Sequence, residues 1–316
     1  MHSIKAMEIE MGYQIEELPR LRLPKQAKLD DSIIIGSGDS YVIALVVQHA
    51  SNYRAISCNP MDILLNPQIA RNRKTYIVSV SGKTMSNIIA AKVAKEHYGK
   101  TIAITSRPVS ELAKTCDEVI HVKYKNVGIP TSGTISFTAH LISSLALVKP
   151  LRGLGNLNKI FQQSIYEAET QSPSGPEKPT SYIFLGNGIF FPLAMYGALK
   201  VNEVLGIKSF AYSLHEFCHA PIFSIKKDDK IIIVGSNEYD NKNSLSLNHR
   251  LKEMGFSSVY VDCTGPSLEE KILKSIFFLQ LYVYKESQKQ KIEDCYFLKN
   301  ETLLALSSDL IYFKVD

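Results

Sequence analysis

Short β-branched runs alternate along this chain with segments whose apolar residues recur at helical spacing. This alternation favours an α/β fold with parallel strands, because a strand, a helix and a second parallel strand form one repeating unit. In the first half, we predict strands at 32–35, 76–80, 101–104 and 118–121. The predicted helices lie at 40–50, 84–97, 109–115, 134–149 and 157–170.

The second half of the chain repeats the plan of the first at an offset of about 150 residues. Residues 33–38 and 183–188 both read as an apolar strand followed by Gly-x-Gly, and residues 231–236 echo residues 76–81. We therefore predict an internal duplication.

The length of 316 residues fits two domains of roughly 150 residues each. A stretch rich in proline, serine and glycine at 171–180 has the composition of a linker. The predicted division is therefore a first subdomain with an N-terminal helix (1–170), the linker, and a second subdomain with a C-terminal tail (181–316).

Composition argues against several classes of protein. No apolar run approaches the roughly 20 residues of a membrane helix, and residues 1–10 lack a signal-peptide core, so we expect a cytoplasmic protein without membrane contact. The net charge is a mild +5, and the lysines lack interleaved aromatics, so no nucleic-acid partner is expected. The five cysteines lack C-x-x-C spacing and are expected to be reduced thiols, with Cys218 a buried apolar residue rather than a nucleophile.

A hydroxyl-rich turn links the predicted strand at 76–80 to a helix. It reads Ser79-Val80-Ser81-Gly82-Lys83-Thr84. A helix N-terminus favours anions, and glycine allows close backbone approach, so the turn predicts a phosphate site. The alternative is an ordinary helix cap. The second copy, Gly235-Ser236-Asn237-Glu238-Tyr239, lacks this hydroxyl set, which predicts one phosphate site for the two halves.

The two Gly-x-Gly segments do not predict a dinucleotide site. The third small residue of that fingerprint is replaced by Tyr41 in the first copy and by Phe191 in the second. We interpret these glycines as a tight turn that presents Ser37 and Ser40 to a ligand.

Charged and imidazole side chains concentrate in the second half. Lys200 and Glu203 are three residues apart on one predicted helix, which is compatible with a solvated salt bridge or with a site. His215 and His219 have a spacing that could bind zinc, but Cys218 stands where H-E-x-x-H has its second histidine, so no metal is expected. A carboxylate and an imidazole suit proton transfer instead.

These motifs resemble the double sugar isomerase (SIS) family, above all the isomerase half of glucosamine-6-phosphate synthase and related deaminases. That family carries S-x-S-G-E-T, then Y-x-G-R-G-x-x-Y-P-x-A-x-E-G-A-L-K-L-K-E, then A-Y-x-x-G-E-L-K-H-G-P. The matching segments here are 79–84, 184–203 and 211–221, in the same order. The resemblance spans roughly 36–221 and implies two tandem SIS-type subdomains, each a parallel sheet flanked by helices.

The resemblance implies a role for individual residues. It assigns Glu203 to proton transfer between C1 and C2, His219 to opening of the sugar ring across a homodimer interface, and Lys200 to the same site. No cofactor is implied. The implied phosphate ligands are Ser40, Ser79, Val80, Ser81 and Thr84.

Several positions depart from the family pattern. Lys83 and Tyr196 replace glutamates, and Asn202 replaces a lysine. The family tail with its imine-forming lysine has no clear match, which leaves Lys314 as a candidate substitute. No amidotransferase domain is recognised, so we expect no ammonia from glutamine within this chain.

The sequence thus predicts an enzyme that isomerises or deaminates a hexose or hexosamine 6-phosphate, with conversion of glucosamine 6-phosphate to fructose 6-phosphate favoured. The alternative is a non-catalytic regulatory protein that binds a sugar phosphate.

Overall fold

The computed structural model describes residues 1–151, 153–171, 176–236 and 241–313. Its strands are β1 (Ser32–Ile35), β2 (Ala55–Cys58), β3 (Lys74–Val78), β4 (Lys100–Thr105), β5 (Glu118–His121), β6 (Tyr182–Gly186), β7 (Ser209–Ser213), β8 (Lys230–Gly235) and β9 (Ser257–Asp262). Its helices are α1 (Ser3–Glu17), α2 (Asp39–Ala50), α3 (Pro60–Leu65), α4 (Met85–Glu96), α5 (Glu111–Thr115), α6 (Ile135–Val148), α7 (Leu157–Gln171), α8 (Phe190–Leu205), α9 (Leu214–His219), α10 (Asn241–Glu253), α11 (Leu268–Lys289), α12 (Tyr296–Lys299) and α13 (Glu301–Ile311).

The strands form two sheets, ordered β2-β1-β3-β4-β5 and β7-β6-β8-β9. Every strand pairing within the described residues is parallel, which confirms the predicted α/β class. The four strands of the second sheet follow the same order as the first four of the first sheet. This shared order supports the internal duplication.

The structure contains several elements that the sequence pattern did not predict, among them β2, α3, β7 and the helices α9 to α13. Both strands lie at the edge of their sheet. They are partly exposed, so they lack the continuous apolar run that identifies a central strand. α3 is only six residues long and begins at a capping box on Asn59.

Contacts divide the chain into two compact units with interleaved segments. One unit contains the first sheet and comprises 16–126, 135–151 and 300–316, within the described residues. The other contains the second sheet and comprises 1–15, 127–134 and 152–299. Most of α1 and all of α7 are thus grouped with the second sheet. The division into subdomains 1–170 and 181–316 stays a prediction.

Each sheet has its own apolar core. In the first unit, isoleucines of β1 and β3 pack with alanines of α4. In the second, isoleucines of β6 and β8 pack with Phe217 of α9 and Leu251 of α10. None of the helices within the described residues combines the length and apolar character needed to cross a bilayer.

The same glycine turn follows the first strand of each sheet; we call 36–38 and 186–188 the glycine turns. A Cβ on Gly36 would lie 2.2 Å from a backbone oxygen of α2, and a Cβ on Gly186 would lie 2.4 Å from a backbone oxygen of α8. Gly38 and Gly188 both have a φ of +55°. No side chain fits at the first position, and the second favours glycine.

Candidate functional site

Two of the predicted phosphate-binding segments follow adjacent strands of the first sheet. β1 and β3 pair directly, with Ile35 opposite Ile77, and β2 lies on the other side of β1. The strand order therefore reverses between β1 and β3, and ligands of α/β sheets bind at the carboxyl ends of strands at such a reversal. Ser40, in the first turn of α2, and the turn at 79–84 both follow these strand ends.

The turn at 79–84 is stabilised by its own serines. The Oγ of Ser79 accepts a hydrogen bond from the N–H of Gly82 at 3.2 Å, and the Oγ of Ser81 accepts one from the N–H of Lys83 at 3.3 Å. Each serine oxygen acts here as an acceptor, so its hydroxyl hydrogen is the part that can donate to an anion.

Glycine is required in this turn. Gly82 has a φ of +63°, and a Cβ there would lie 2.1 Å from the Oγ of Ser110. A larger residue would therefore be strained and would collide with the start of α5. The backbone path that brings the serines together depends on this glycine.

The helix that follows the turn begins after Thr84. The side chain of Thr84 occupies the N-cap position but makes no capping hydrogen bond, so the ordinary-cap alternative is not supported there. Ser79 is buried, whereas Val80, Ser81 and Thr84 are half-buried and Lys83 is exposed. The structure thus places four of the five predicted phosphate ligands in one turn, and their role stays a prediction.

A second group of polar side chains centres on Glu203 in α8. The Nζ of Lys200 donates to Oε2 of Glu203 at 2.6 Å, and the Oγ of Ser132 donates to the same oxygen at 2.7 Å. The side chain of Lys200 has no exposed area, whereas that of Glu203 is 36% exposed. The pair is therefore not the solvated salt bridge that the spacing also allowed.

The two carboxylate oxygens of Glu203 differ in their hydrogen bonding. Oε2 accepts both hydrogen bonds, and Oε1 accepts none from the described residues. The side chain, 36% of which is exposed, thus presents one oxygen that is bound by two donors and one that accepts no hydrogen bond from the described residues. Such an arrangement suits a general base.

The histidines lie on the short helix α9, which Ser213 caps through its Oγ and the N–H of Glu216. His219 is exposed, and its ring lies 4.7 Å from that of His215 in an edge-on contact. Cys218 is also exposed, so its interpretation as a buried residue is wrong. α9 is so short that only Leu214 and Phe217 reach the core.

Two further predictions concern other parts of the chain. Within the described ranges, His, Cys, Asp and Glu side chains form no group of three or more that could hold a metal. Lys314, the candidate substitute for the tail lysine, lies outside the described residues.

Sequence reasoning missed Ser132, which precedes α6 and contacts Glu203. A signal was present, because Ser132 belongs to a run of small and polar residues, Thr131-Ser132-Gly133-Thr134, between two apolar segments. That run resembles an ordinary loop in the sequence, and its partner is 71 residues away along the chain.

Comparison with curated proteins finds glutamine–fructose-6-phosphate aminotransferases among the relatives of this chain, although no family model matches it. The chain is 29% identical over 223 residues to a glutamine–fructose-6-phosphate aminotransferase (isomerizing) of Sulfurisphaera tokodaii, which covers 65% of this chain and 36% of that protein. It is 26% identical over 255 residues to the Escherichia coli K12 protein of the same name, covering 72% and 40%. The chain therefore spans about two fifths of the length of these relatives or less.

Solved structures share the fold over most of their length. Glucosamine-6-phosphate deaminase of Thermotoga maritima has a TM-score of 0.74 at 20% identity and covers 91% of this chain and 96% of its own. The C-terminal domain of glucosamine-fructose-6-phosphate aminotransferase from Francisella tularensis also scores 0.74, at 18% identity, with 92% and 98% covered. Tagatose-6-phosphate ketose/aldose isomerase of Escherichia coli scores 0.70 at 17% identity, with 92% and 89% covered. The chain is therefore similar in sequence to part of the glutamine–fructose-6-phosphate aminotransferases, and it shares its fold with the C-terminal domain of such an aminotransferase and with a ketose/aldose isomerase.

Proposed function

We propose that this chain binds a hexose or hexosamine 6-phosphate and moves a proton between C1 and C2 of the open-chain sugar. The favoured reaction converts glucosamine 6-phosphate to fructose 6-phosphate and ammonia. In this proposal Glu203 transfers the proton and His219 opens the ring. The turn at 79–84 binds the phosphate together with Ser40.

The proposed chemistry needs only proton transfer and water. Glu203 takes the proton from C2 and returns it to C1, and a second proton passes from the amine nitrogen to the aldehyde oxygen through water. The C1 aldehyde thereby becomes an alcohol and the C2 amine becomes an imine. Water then adds to the imine and ammonia leaves, which gives the ketone. With a hydroxyl in place of the amine, the same proton shift interconverts aldose and ketose. We propose no cofactor, because no step is a net oxidation or reduction.

The observation that carries this proposal is the environment of Glu203. Its Oε2 is held at 2.6 Å by the fully buried Lys200 and at 2.7 Å by Ser132, while the side chain keeps 36% of its area exposed. A carboxylate that only anchors a buried lysine does not need this exposure. A carboxylate that shuttles a proton does.

A second candidate function is that of a regulatory protein that binds a sugar phosphate without converting it. Lys83 and Tyr196 favour this candidate, because each stands where the family pattern has a glutamate. Lys83 is exposed at the turn, and Tyr196 is buried beside Lys200, whose Nζ lies 5.2 Å from the centre of its ring.

The first experiment is a turnover screen of the unmodified protein with glucosamine, glucose, mannose and fructose 6-phosphates. We expect ammonia release from glucosamine 6-phosphate, or aldose–ketose interconversion of another member of the set. Unphosphorylated glucosamine is the matched control and should not be converted, because it cannot use the serine turn. Absence of conversion of all four phosphates, with retained binding of one of them, would favour the regulatory protein.

We also propose that the protein acts as a homodimer in which His219 serves the site of the neighbouring chain. A mixture of His219→Ala and Glu203→Gln chains, unfolded together and refolded, should regain part of the wild-type turnover, because some mixed dimers contain one intact site. Each variant refolded alone provides the baseline. Turnover in the mixture that does not exceed this baseline would contradict a shared site.

A further inference from the structure

Ser132 is a buried serine without an assigned role. Its side chain and backbone together expose 1% of their area, and its Oγ donates to Oε2 of Glu203 at 2.7 Å. Water has little access to this hydroxyl, so the hydrogen bond to the carboxylate is not in ready competition with solvent. A hydrogen bond to an ionised group is also stronger than one between neutral groups.

The segment that carries Ser132 is fixed at both ends by hydrogen bonds to one carboxylate. The carboxylate of Glu10 in α1 accepts from the N–H of Val127 at 3.1 Å and from the Oγ1 of Thr134 at 2.9 Å. Burial raises the pKa of Glu10, and these two hydrogen bonds oppose that shift. The segment 127–134 is therefore held to α1 at both of its ends.

The C-terminal part of the same segment is also held by α8. The hydroxyl of Tyr196 donates to the carbonyl oxygen of Gly133 at 2.6 Å, directly beside Ser132. The Nε2 of Gln280 in α11 in turn donates to the hydroxyl oxygen of Tyr196 at 2.9 Å. Tyr196 thus links the backbone beside Ser132 to the helix that also carries Glu203.

We propose that Ser132 is a positioning residue for Glu203: together with Lys200 it fixes Oε2, so that Oε1 is the oxygen that takes the proton from the substrate. This proposal rests on the proposed function of Glu203 as the base. The hydrogen bonds of Glu10 to Val127 and Thr134 hold the backbone that carries this hydroxyl in place. Tyr196 contributes by holding the carbonyl of Gly133.

Lys200 alone does not provide this orientation. An ammonium group attracts a carboxylate as a point charge and permits rotation about the last side-chain bond of the glutamate. A second donor at the same oxygen, approaching from another element, restricts that rotation. Misorientation of a reacting group lowers the rate without a matching loss of ground-state binding.

The test compares Ser132→Ala and Ser132→Cys with the control Thr131→Val. Thr131 is the adjacent residue of the segment, and its Oγ1 donates to the carbonyl oxygen of Ser3 rather than to Glu203. We expect Ser132→Ala to lower kcat about 10- to 100-fold, the rate equivalent of losing a hydrogen bond to a charged group, with KM little changed. Ser132→Cys keeps the size but has a weak donor, so most of the loss should remain. Thr131→Val should retain the wild-type kcat.

A spectroscopic measurement separates this proposal from the proposed function. The infrared carboxylate stretch of Glu203 is isolated as the difference between each protein, labelled with ¹³C-glutamate, and its Glu203→Gln counterpart. We expect the band to shift in both Ser132 variants and to stay in place in Thr131→Val. If the wild-type protein lacks turnover but the band shifts, the proposed function fails and the orienting contact is supported. A Ser132→Ala or Ser132→Cys protein that matches Thr131→Val in kcat and in band position overturns the proposal.

Discussion

Replacing Glu203 by glutamine should lower the turnover of the hexose 6-phosphate substrate by about 10²- to 10⁴-fold, the usual contribution of a general base. The amide retains the shape of the carboxylate and an acceptor for the Nζ of Lys200, but it cannot take the proton from C2. The affinity for the sugar phosphate, measured by calorimetry, should be retained. Such a loss in kcat with unchanged binding is the signature of a group that acts on the reacting atoms.

The matched control for this experiment is Glu253→Gln on the exposed end of α10, which should retain full turnover. Glu203→Asp is a second informative variant, because it keeps a negative charge near the buried Lys200 but withdraws the carboxylate by one methylene. We expect its rate to fall between those of the wild type and Glu203→Gln. A Glu203→Gln protein that turns over as fast as the wild type would show that another group is the base.

Replacing Glu286 by alanine should lower the free energy of unfolding by about 3–5 kcal/mol, the range for removing one partner of a buried ion pair. The carboxylate of Glu286 is 1% exposed and accepts from Lys230 at 2.9 Å and from Lys289 at 3.1 Å. The hydroxyl of Tyr182 also donates to it at 2.6 Å. The variant would leave the ammonium of Lys230 buried without its carboxylate. Urea unfolding of both proteins measures the difference.

The exposed pair between Lys285 and Glu169 provides the control, because its N–O distance is also 2.9 Å but the side chain of Glu169 is 51% exposed. Glu169→Ala should cost less than about 1 kcal/mol, as solvated pairs do. Equal losses in the two variants would mean that burial does not decide the contribution of Glu286.

The effect of Glu286→Ala should depend on pH. Burial lowers the pKa of Lys230, and Glu286 opposes that shift. The folded-state pKa therefore lies below the unfolded one, so the folded chain binds fewer protons and its stability rises with pH across that interval. Removing Glu286 lowers the pKa of Lys230 further. We therefore expect the stability deficit of the variant to shrink as the solution is made more alkaline.

The parts of the fold and site that the sequence predicted are those fixed by short stretches of chain. The turn at 79–84 could be recognised because its hydroxyls, its glycine, the preceding strand and the following helix are contiguous. The pairing of Lys200 with Glu203 was also accessible, because their spacing places them on one face of α8. In these segments local backbone geometry alone brings the side chains together.

The parts that the sequence did not predict depend on contacts between distant segments. Ser132 contacts Glu203 from the segment 127–134, which is held by hydrogen bonds to α1, α8 and α11. Glu286 reaches Lys230 across 56 residues of chain, and neither residue stands in a recognisable motif. The edge strands β2 and β7 were missed because their exposed sides remove the apolar continuity on which strand prediction relies.

The glycine turns have a consequence for how the two halves of such a chain can diverge in evolution. In each turn the glycines determine the backbone, while the residue between them provides the contact. Ser37 donates to the Oδ1 of Asn87 in α4 at 3.2 Å, whereas Asn187 accepts from the N–H of Leu214 at the start of α9 at 3.0 Å. A single substitution between the two glycines can therefore exchange one neighbouring helix contact for another while the main chain keeps the same turn.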